Sequence, residues 1–179
     1  MRLFWKRGYE TTSISDLTKA MRITPPALYT AYGDKKRLFL EAVGRYEQDA
    51  GCFAQEALTE EPTAERAMRR LLHGAVESFT KPGAPRGCLV VLGAINCTME
   101  SGDIYKALAE RRRNAEKAVR ARIAAGQSAG ELRDDADVDA LTGMVTATLY
   151  GLAIKAKDGA PAAQLHGIAD QVMQMWPSR

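Results

Sequence analysis

Long apolar runs are missing from this 179-residue chain. No stretch of about 18 consecutive apolar residues occurs, which excludes a membrane-spanning helix. No secretory leader is expected either, because Lys6 and Arg7 interrupt Met1-Arg2-Leu3-Phe4-Trp5 almost at once. The cysteines, Cys52, Cys88 and Cys97, are odd in number and lack paired metal spacing, so they read as reduced thiols in a cytoplasmic protein. Histidine is scarce: His73 and His166 stand far apart, with no clustered nucleophile or carboxylate beside either. There is no Gly-rich phosphate loop and no His-x-x-x-His pair. These absences argue against an enzyme, and no metal or cofactor is expected. Alternating strand patterns are nearly absent too, whereas helical periodicity recurs, so the fold class is all-α.

What is present concentrates near the start. Ser13 and Asp16 form an S-x-x-D capping signature, which predicts a helix after Ser13. Ile14, Leu17 and Met21 then make one apolar stripe. Thr24 can cap a second helix, with Pro25 or Pro26 in its first turn, where no intrahelical donor is needed. Leu28 and Tyr32, four apart, supply its inward face. Pro25, Pro26, Ala27, Tyr29 and Thr30 therefore point away from the core. Two short helices joined by a tight turn form a helix-turn-helix, whose second helix can enter the DNA major groove. Short side chains from Thr24 to Ala27 would let backbone approach base edges closely.

Charge is distributed to match. Residues 1–45 carry a net +5, whereas residues 46–179 carry a net −2. A basic excess confined to the N-terminal quarter is the footprint of a phosphate-facing surface.

Gly8-Tyr9, Thr12-Ser13-Ile14, Leu28-Tyr29 and Gly33-Asp34-Lys35 together resemble the N-terminal domain of TetR/AcrR-type transcriptional regulators. The resemblance is strong over Leu3 to Tyr46 and weaker beyond, including Gly151 to Gly159. It implies a three-helix helix-turn-helix DNA-binding domain over residues 1–46. A helical ligand-binding and dimerisation domain would follow over residues 47–179. By resemblance, Thr12, Ser13, Tyr29 and Lys35 become phosphate contacts, while Thr24, Pro25, Pro26, Ala27 and Thr30 face the bases. Three departures stand out. Arg22 occupies the turn position usually held by Gly, where a left-handed backbone costs about 1–2 kcal/mol; a phosphate contact by Arg22 would offset that. Ala31 replaces a larger side chain. Met1 falls inside the first helix, so native residues are expected to precede it.

The rest reads as helices. Leu38, Phe39, Ala42, Val43 and Tyr46 define one that runs on toward Phe53, and Pro62 opens another. Cys88 to Met99, apolar almost throughout, predicts a short helix buried on all sides, ended by Ser101-Gly102. Tyr105, Leu108, Ala115, Val119 and Ile123 outline a long amphipathic helix whose basic outer face reads as solvated surface. The last two helices carry apolar stripes of Leu141, Val145, Leu149 and Leu152, and of Leu165, Ile168, Val172 and Trp176. Such a pair can dock on its own copy as a four-helix bundle, and the resemblance implies the same dimer. Two-fold symmetry would set two reading helices about 34–36 Å apart and select a palindromic double-stranded operator.

Aromatic, sulfur-bearing and sparse polar residues in the middle helices suit a pocket for a small organic ligand. The candidates are Phe53, His73, Phe79, Cys88, Leu92, Asn96, Met99 and Tyr150. The function read from the sequence is thus a ligand-released, dimeric repressor in the cytoplasm. The alternative is a ligand- or protein-binding module of the same fold that has lost operator recognition. Thiol sensing through Cys88 or Cys97 is a third reading.

Overall fold

The protein is described over all residues 1–179 by a computed structural model. Ten α-helices follow one another: α1 Arg2–Arg7, α2 Ile14–Met21, α3 Pro25–Tyr32, α4 Lys35–Asp49, α5 Phe53–Glu60, α6 Ala64–Thr80, α7 Leu89–Leu92, α8 Gly102–Ser128, α9 Val138–Lys157 and α10 Ala162–Gln174. No strand forms; a lone bridge joins Leu132 to Ser178. Polar caps explain many of the starts. Ser13, Thr24, Asp34, Thr63 and Asp137 each accept a backbone N–H of the first turn that follows.

Two apolar cores result. The first joins α1 to α4 around Phe4, Tyr9, Phe39 and Tyr46. Phe39 takes the rings of Phe4 and Tyr9 edge-on at 5.0 and 5.1 Å, and Trp5 meets Tyr46 at 4.8 Å. Such pairs add about 0.5–1.5 kcal/mol each beyond their burial. Leu89, Ala94, Ile104 and Leu108 complete this core from further along the chain. The second core is built on α6, with α5, α8, α9 and α10 packed around it.

The seam between the cores is stitched on two sides. On one, the loop after α6 receives Trp5 Nε1–H at the Gly87 carbonyl, 2.8 Å away. Arg86 of the same loop donates to the carbonyls of Ala156 and Ala160 at the end of α9, and Lys157 donates to the Lys6 carbonyl at 2.6 Å. On the other, Lys36 pairs with Asp103 at 2.9 Å, and Glu10 accepts from the Thr98 N–H at 3.0 Å. Glu47 of α4 pairs with Arg111 of α8.

Several expectations need correction. The helix through Tyr46 does not run on to Phe53. It stops at Ala50, and the N–H of Gly51 turns back to the Tyr46 carbonyl at 2.9 Å. Met21 is 38% exposed at the helix end; the hydroxyl of Thr18, bonded to the Ile14 carbonyl, lets Thr18 take the inward place. Cys88 to Met99 is not one buried helix. Only Leu89–Leu92 is α-helical, and Ile95, Asn96 and Met99 lie exposed. Ser101-Gly102 opens α8 rather than ending a helix, and Ile104 replaces Tyr105 on its buried face. The stripes read as a dimer face also turn inward. Val145, Leu152, Leu165, Val172 and Trp176 are buried in the chain's own second core, because α6 needs a partner on the apolar side of both helices. Leu141 and Ile168 are partly buried against that core, and so is Leu149.

Candidate nucleic-acid interface

The reading unit is set by three local devices. The Ser13 hydroxyl accepts the Asp16 N–H at 3.0 Å while the Asp16 carboxylate accepts the Ser13 N–H at 3.0 Å. Both hydrogen bonds close the start of α2. Arg7 joins at 3.0 Å, and these partners, the Ser13 hydroxyl first, hold the Asp16 carboxyl below its usual range. Arg22 then reverses the chain at φ 57° and ψ 42°, the one non-glycine residue with a left-handed backbone. Finally Thr24 and the two prolines start α3, whose exposed tip needs no donor from Pro25 or Pro26.

Leu28 pins α3 to the core with no exposed surface, and Tyr32 is half-buried beside it. The rest of α3 and its cap face out. Thr24, Pro25, Pro26, Ala27, Tyr29 and Thr30 are exposed, as is Ala31, and Arg22 stands exposed in the preceding turn. Tyr29 alone contributes a large ring, 47% exposed. A helix face of small and hydroxyl side chains around one tyrosine can lie against base edges without steric obstruction.

The cations flanking this face differ. Lys35 is half-buried with its ammonium 4.2 Å above the Tyr9 ring, and burial pushes its pKa down. It makes no ion pair, whereas Lys36 is held by Asp103 and by the Glu100 carbonyl. Hydrogen bonds from Ser101 and Thr98 keep the neighbouring Glu10 carboxyl low.

Two sequence-based site residues are committed elsewhere. Thr12 is fully buried, and its hydroxyl donates to the Gly8 carbonyl at 2.7 Å, closing the α1–α2 turn. The Ser13 hydroxyl is exposed but also donates to Asp16 at 2.7 Å. A Thr-Ser pair before a helix signals a turn and a cap as readily as a phosphate contact; here the Thr12 hydroxyl closes the turn and the Ser13 hydroxyl serves the cap.

The candidate ligand residues do not converge. Met99 is fully exposed and Asn96 exposed, so neither lines a pocket. Phe53 and Phe79 pack edge-to-face at 6.1 Å, while Cys88 and Leu92 fill space against the core. His73 turns to the far side of α6, toward His166. Burial pushes the Cys88 and Cys97 thiols up, which lowers the reactive thiolate fraction and weighs against thiol sensing. Tyr150 alone reaches a half-open apolar cavity of about 300 Å³ between α5, α6, α8 and α9. Its other walls, Ala54, Leu58, Leu71, Val119 and Leu149, escaped the sequence reading. The small residues Ala115 and Ala118 on α8 leave this space, and their spacing is the signal that could have exposed it. A larger cleft of about 780 Å³ near Arg2 and Phe53 is open and mixed in polarity, a surface groove rather than a ligand chamber.

Comparison with known proteins follows the same division. Residues 1–42 match the family model described as bacterial regulatory proteins, tetR family. Residues 64–167 match the tetracyclin repressor-like C-terminal domain. The chain is 30% identical over 178 residues to the HTH-type transcriptional repressor ComR of Escherichia coli K12, covering 99% of this chain and 85% of that one. The solved TetR family transcriptional regulator CifR, a cysteine mutant complexed with 26-bp double-strand operator DNA, is similar with a TM-score of 0.94 and 37% identity. That match covers 98% of this chain and 92% of that one. A putative TetR transcriptional regulator from Rhodococcus sp. RHA1 matches with a TM-score of 0.67 and 38% identity, over 100% of this chain and 96% of the other.

Proposed function

Because this chain belongs to the TetR family of bacterial regulatory proteins and is a DNA-binding transcriptional regulator, we propose that it works as a homodimeric repressor, freed from a palindromic operator by a small apolar ligand. The observation that carries the reading is α3. Its inner residue Leu28 is wholly buried, while Thr24 to Ala27, Tyr29 and Thr30 form a clear outward face. Those residues read bases, Tyr29 and Lys35 hold phosphates, and Arg22 adds a third contact at the turn. Domain boundaries near residue 46 fall within α4, which leaves the reading unit and enters the body. The work is binding in the cytoplasm rather than catalysis.

Support for the dimer comes from a different face of the last two helices than the apolar stripes. Gly143, Ala147, Gly151 and Ile154 follow one outward line on α9, with Ile154 46% exposed. Open space surrounds Gly143 and Gly151, and also Gly167 on α10. Small side chains let helices approach closely, as a four-helix interface between copies requires.

Support for the ligand comes from the cavity at Tyr150. Leu58, Leu71, Val119 and Leu149 favour an apolar molecule, and the Tyr150 hydroxyl and Gln55 offer it one or two hydrogen bonds. Its wall α8 also sends Ile104 and Leu108 into the reading unit's core, so a guest that displaces α8 reaches α4 directly. A coupling of about 1–3 kcal/mol changes DNA affinity roughly 5- to 150-fold.

Selection from a random duplex pool tests the proposal. The expected result is an enriched palindrome with half-sites about one helical turn apart. With about eight phosphates per dimer, log affinity should fall with log salt at a slope near −7. A pool returning no symmetric sequence favours the alternative module that has lost operator recognition.

A further inference from the structure

One charged cleft lies outside both the reading surface and the cavity. It measures about 710 Å³, opens to solvent, and runs along the joint between the reading unit and the body. Four cations line it and no carboxylate does: Arg2 and Lys6 of α1, Arg86 of the loop after α6, and Lys157 at the end of α9. No residue of α3 lines it, and neither Arg22 nor Lys35 does, so it is not an extension of the base-reading face.

Backbone carbonyls, not carboxylates, hold three of these cations. Arg2 donates to the Gly83 carbonyl. Arg86 donates from Nε to the Ala156 carbonyl at 2.7 Å and from Nη2 to the Ala160 carbonyl, which leaves its Nη1 edge uncommitted. Lys157 gives one ammonium N–H to the Lys6 carbonyl at 2.6 Å and keeps the others. The Lys6 ammonium itself enters no hydrogen bond or ion pair, although its carbonyl receives Lys157. Carbonyl partners orient a cation without neutralising it, so the cleft stays strongly positive. The dipole of α9 favours Arg86 and Lys157 at its C-terminal end. It does not account for Arg2 and Lys6, which a different helix brings to the same cleft. Facing charges on other surfaces are matched: Glu47 with Arg111, Asp103 with Lys36, and Asp139 with Arg120.

We propose that this cleft binds a phosphorylated small molecule bearing two or more phosphoryl groups, held between the reading unit and the body. A terminal phosphoryl group carries about −1.5 to −2 charges near neutral pH, so two such groups nearly match the four cations. The free edge of the Arg86 guanidinium suits a pair of phosphate oxygens, while the two lysines act as point charges. Like charges gathered without a counter-ion repel one another, and an anion among them removes that repulsion. A guest touching Lys6 on one side and Arg86 or Lys157 on the other ties α1 to the body, beside the hydrogen bond from Trp5 to the Gly87 carbonyl. This inference rests on the four side chains alone and is independent of whether the chain binds an operator.

The test is calorimetric titration of the full chain with sodium pyrophosphate at low ionic strength, with sodium phosphate and sodium sulfate as comparisons. One pyrophosphate per chain is expected, tighter than either single anion, weakened by added salt and accompanied by a rise in the unfolding temperature. Lys6→Gln leaves the seam intact, because only the Lys6 carbonyl takes part in it, and should weaken binding about 5- to 10-fold. Lys117→Gln, on the exposed face of α8, should leave binding unchanged. Duplex DNA retention by Lys6→Gln, measured without pyrophosphate, should stay within about twofold of the unaltered chain. Absence of binding up to about 1 mM pyrophosphate, sulfate binding as tightly as pyrophosphate, or equal losses in Lys6→Gln and Lys117→Gln would each overturn the assignment. So would a larger, sequence-independent drop in duplex retention with a smaller salt slope, which would give Lys6 to the DNA backbone.

Discussion

The Lys35 ammonium rests 4.2 Å above the ring of Tyr9, so the cation beside the reading helix is held by a face of the aromatic core rather than by a carboxylate. A charge positioned this way remains available to a phosphate, because no anion occupies it. Replacing Lys35 by Ala should weaken binding of all duplexes by a similar factor, about tenfold, and reduce the salt slope by about 1. Quantitative gel retardation at three or more salt concentrations reads both. Changes at Pro26 or Ala27 should instead alter which sequence is preferred.

Arg22 holds a left-handed backbone at a cost of about 1–2 kcal/mol. Arg22→Gly should remove that strain, less a few tenths regained by the freer unfolded chain. Thermal unfolding is expected to shift upward by about 2–4 °C for each kcal/mol recovered. Operator affinity should fall in the same variant if the guanidinium holds a phosphate. A gain in stability with unchanged DNA binding would remove Arg22 from the interface.

The two faces of α9 should answer differently to substitution. Ala147→Glu, on the outward line, is expected to yield a folded monomer by sedimentation, with DNA affinity reduced by about two orders of magnitude, since one half-site must then bind alone. Leu152→Ala, at 1% exposure within the second core, should instead lower stability by about 2–5 kcal/mol. A folded dimer carrying Glu at position 147 would disprove the proposed interface.

Filling the cavity should separate sensing from reading. Ala118→Phe projects a ring into the space bounded by Leu58, Leu71 and Leu149. Ligand-induced release should disappear, while operator affinity without ligand stays within a few-fold. Screening for release against apolar metabolites, first with the unaltered chain, supplies the comparison.

Local signals were legible, and distant ones were not. The Ser13–Asp16 cap and the proline start of α3 depend on residues within a turn of each other, so the sequence alone discloses them. The stripes of α9 and α10 were equally visible, but periodicity cannot tell an inward face from a docking face. Val145 and Leu152 turned out to be needed by α6. Thr12 shows the same ambiguity on a smaller scale, since its hydroxyl closes a turn. The meeting of His73 with His166 depends on how α6 and α10 cross, which no spacing along the chain encodes. The cavity is the least legible feature, being defined by what Ala115 and Ala118 leave unfilled.

The four side chains that Leu89, Ala94, Ile104 and Leu108 lend to the first core make the head of this molecule non-portable. Cut after Tyr46, residues 1–46 would expose the underside of Phe39 and Val43 to water and lose the lid that those later residues provide. Anyone transplanting this recognition head onto a different body must carry the stretch around α7 and the first turns of α8 with it, or rebuild that lid from other residues.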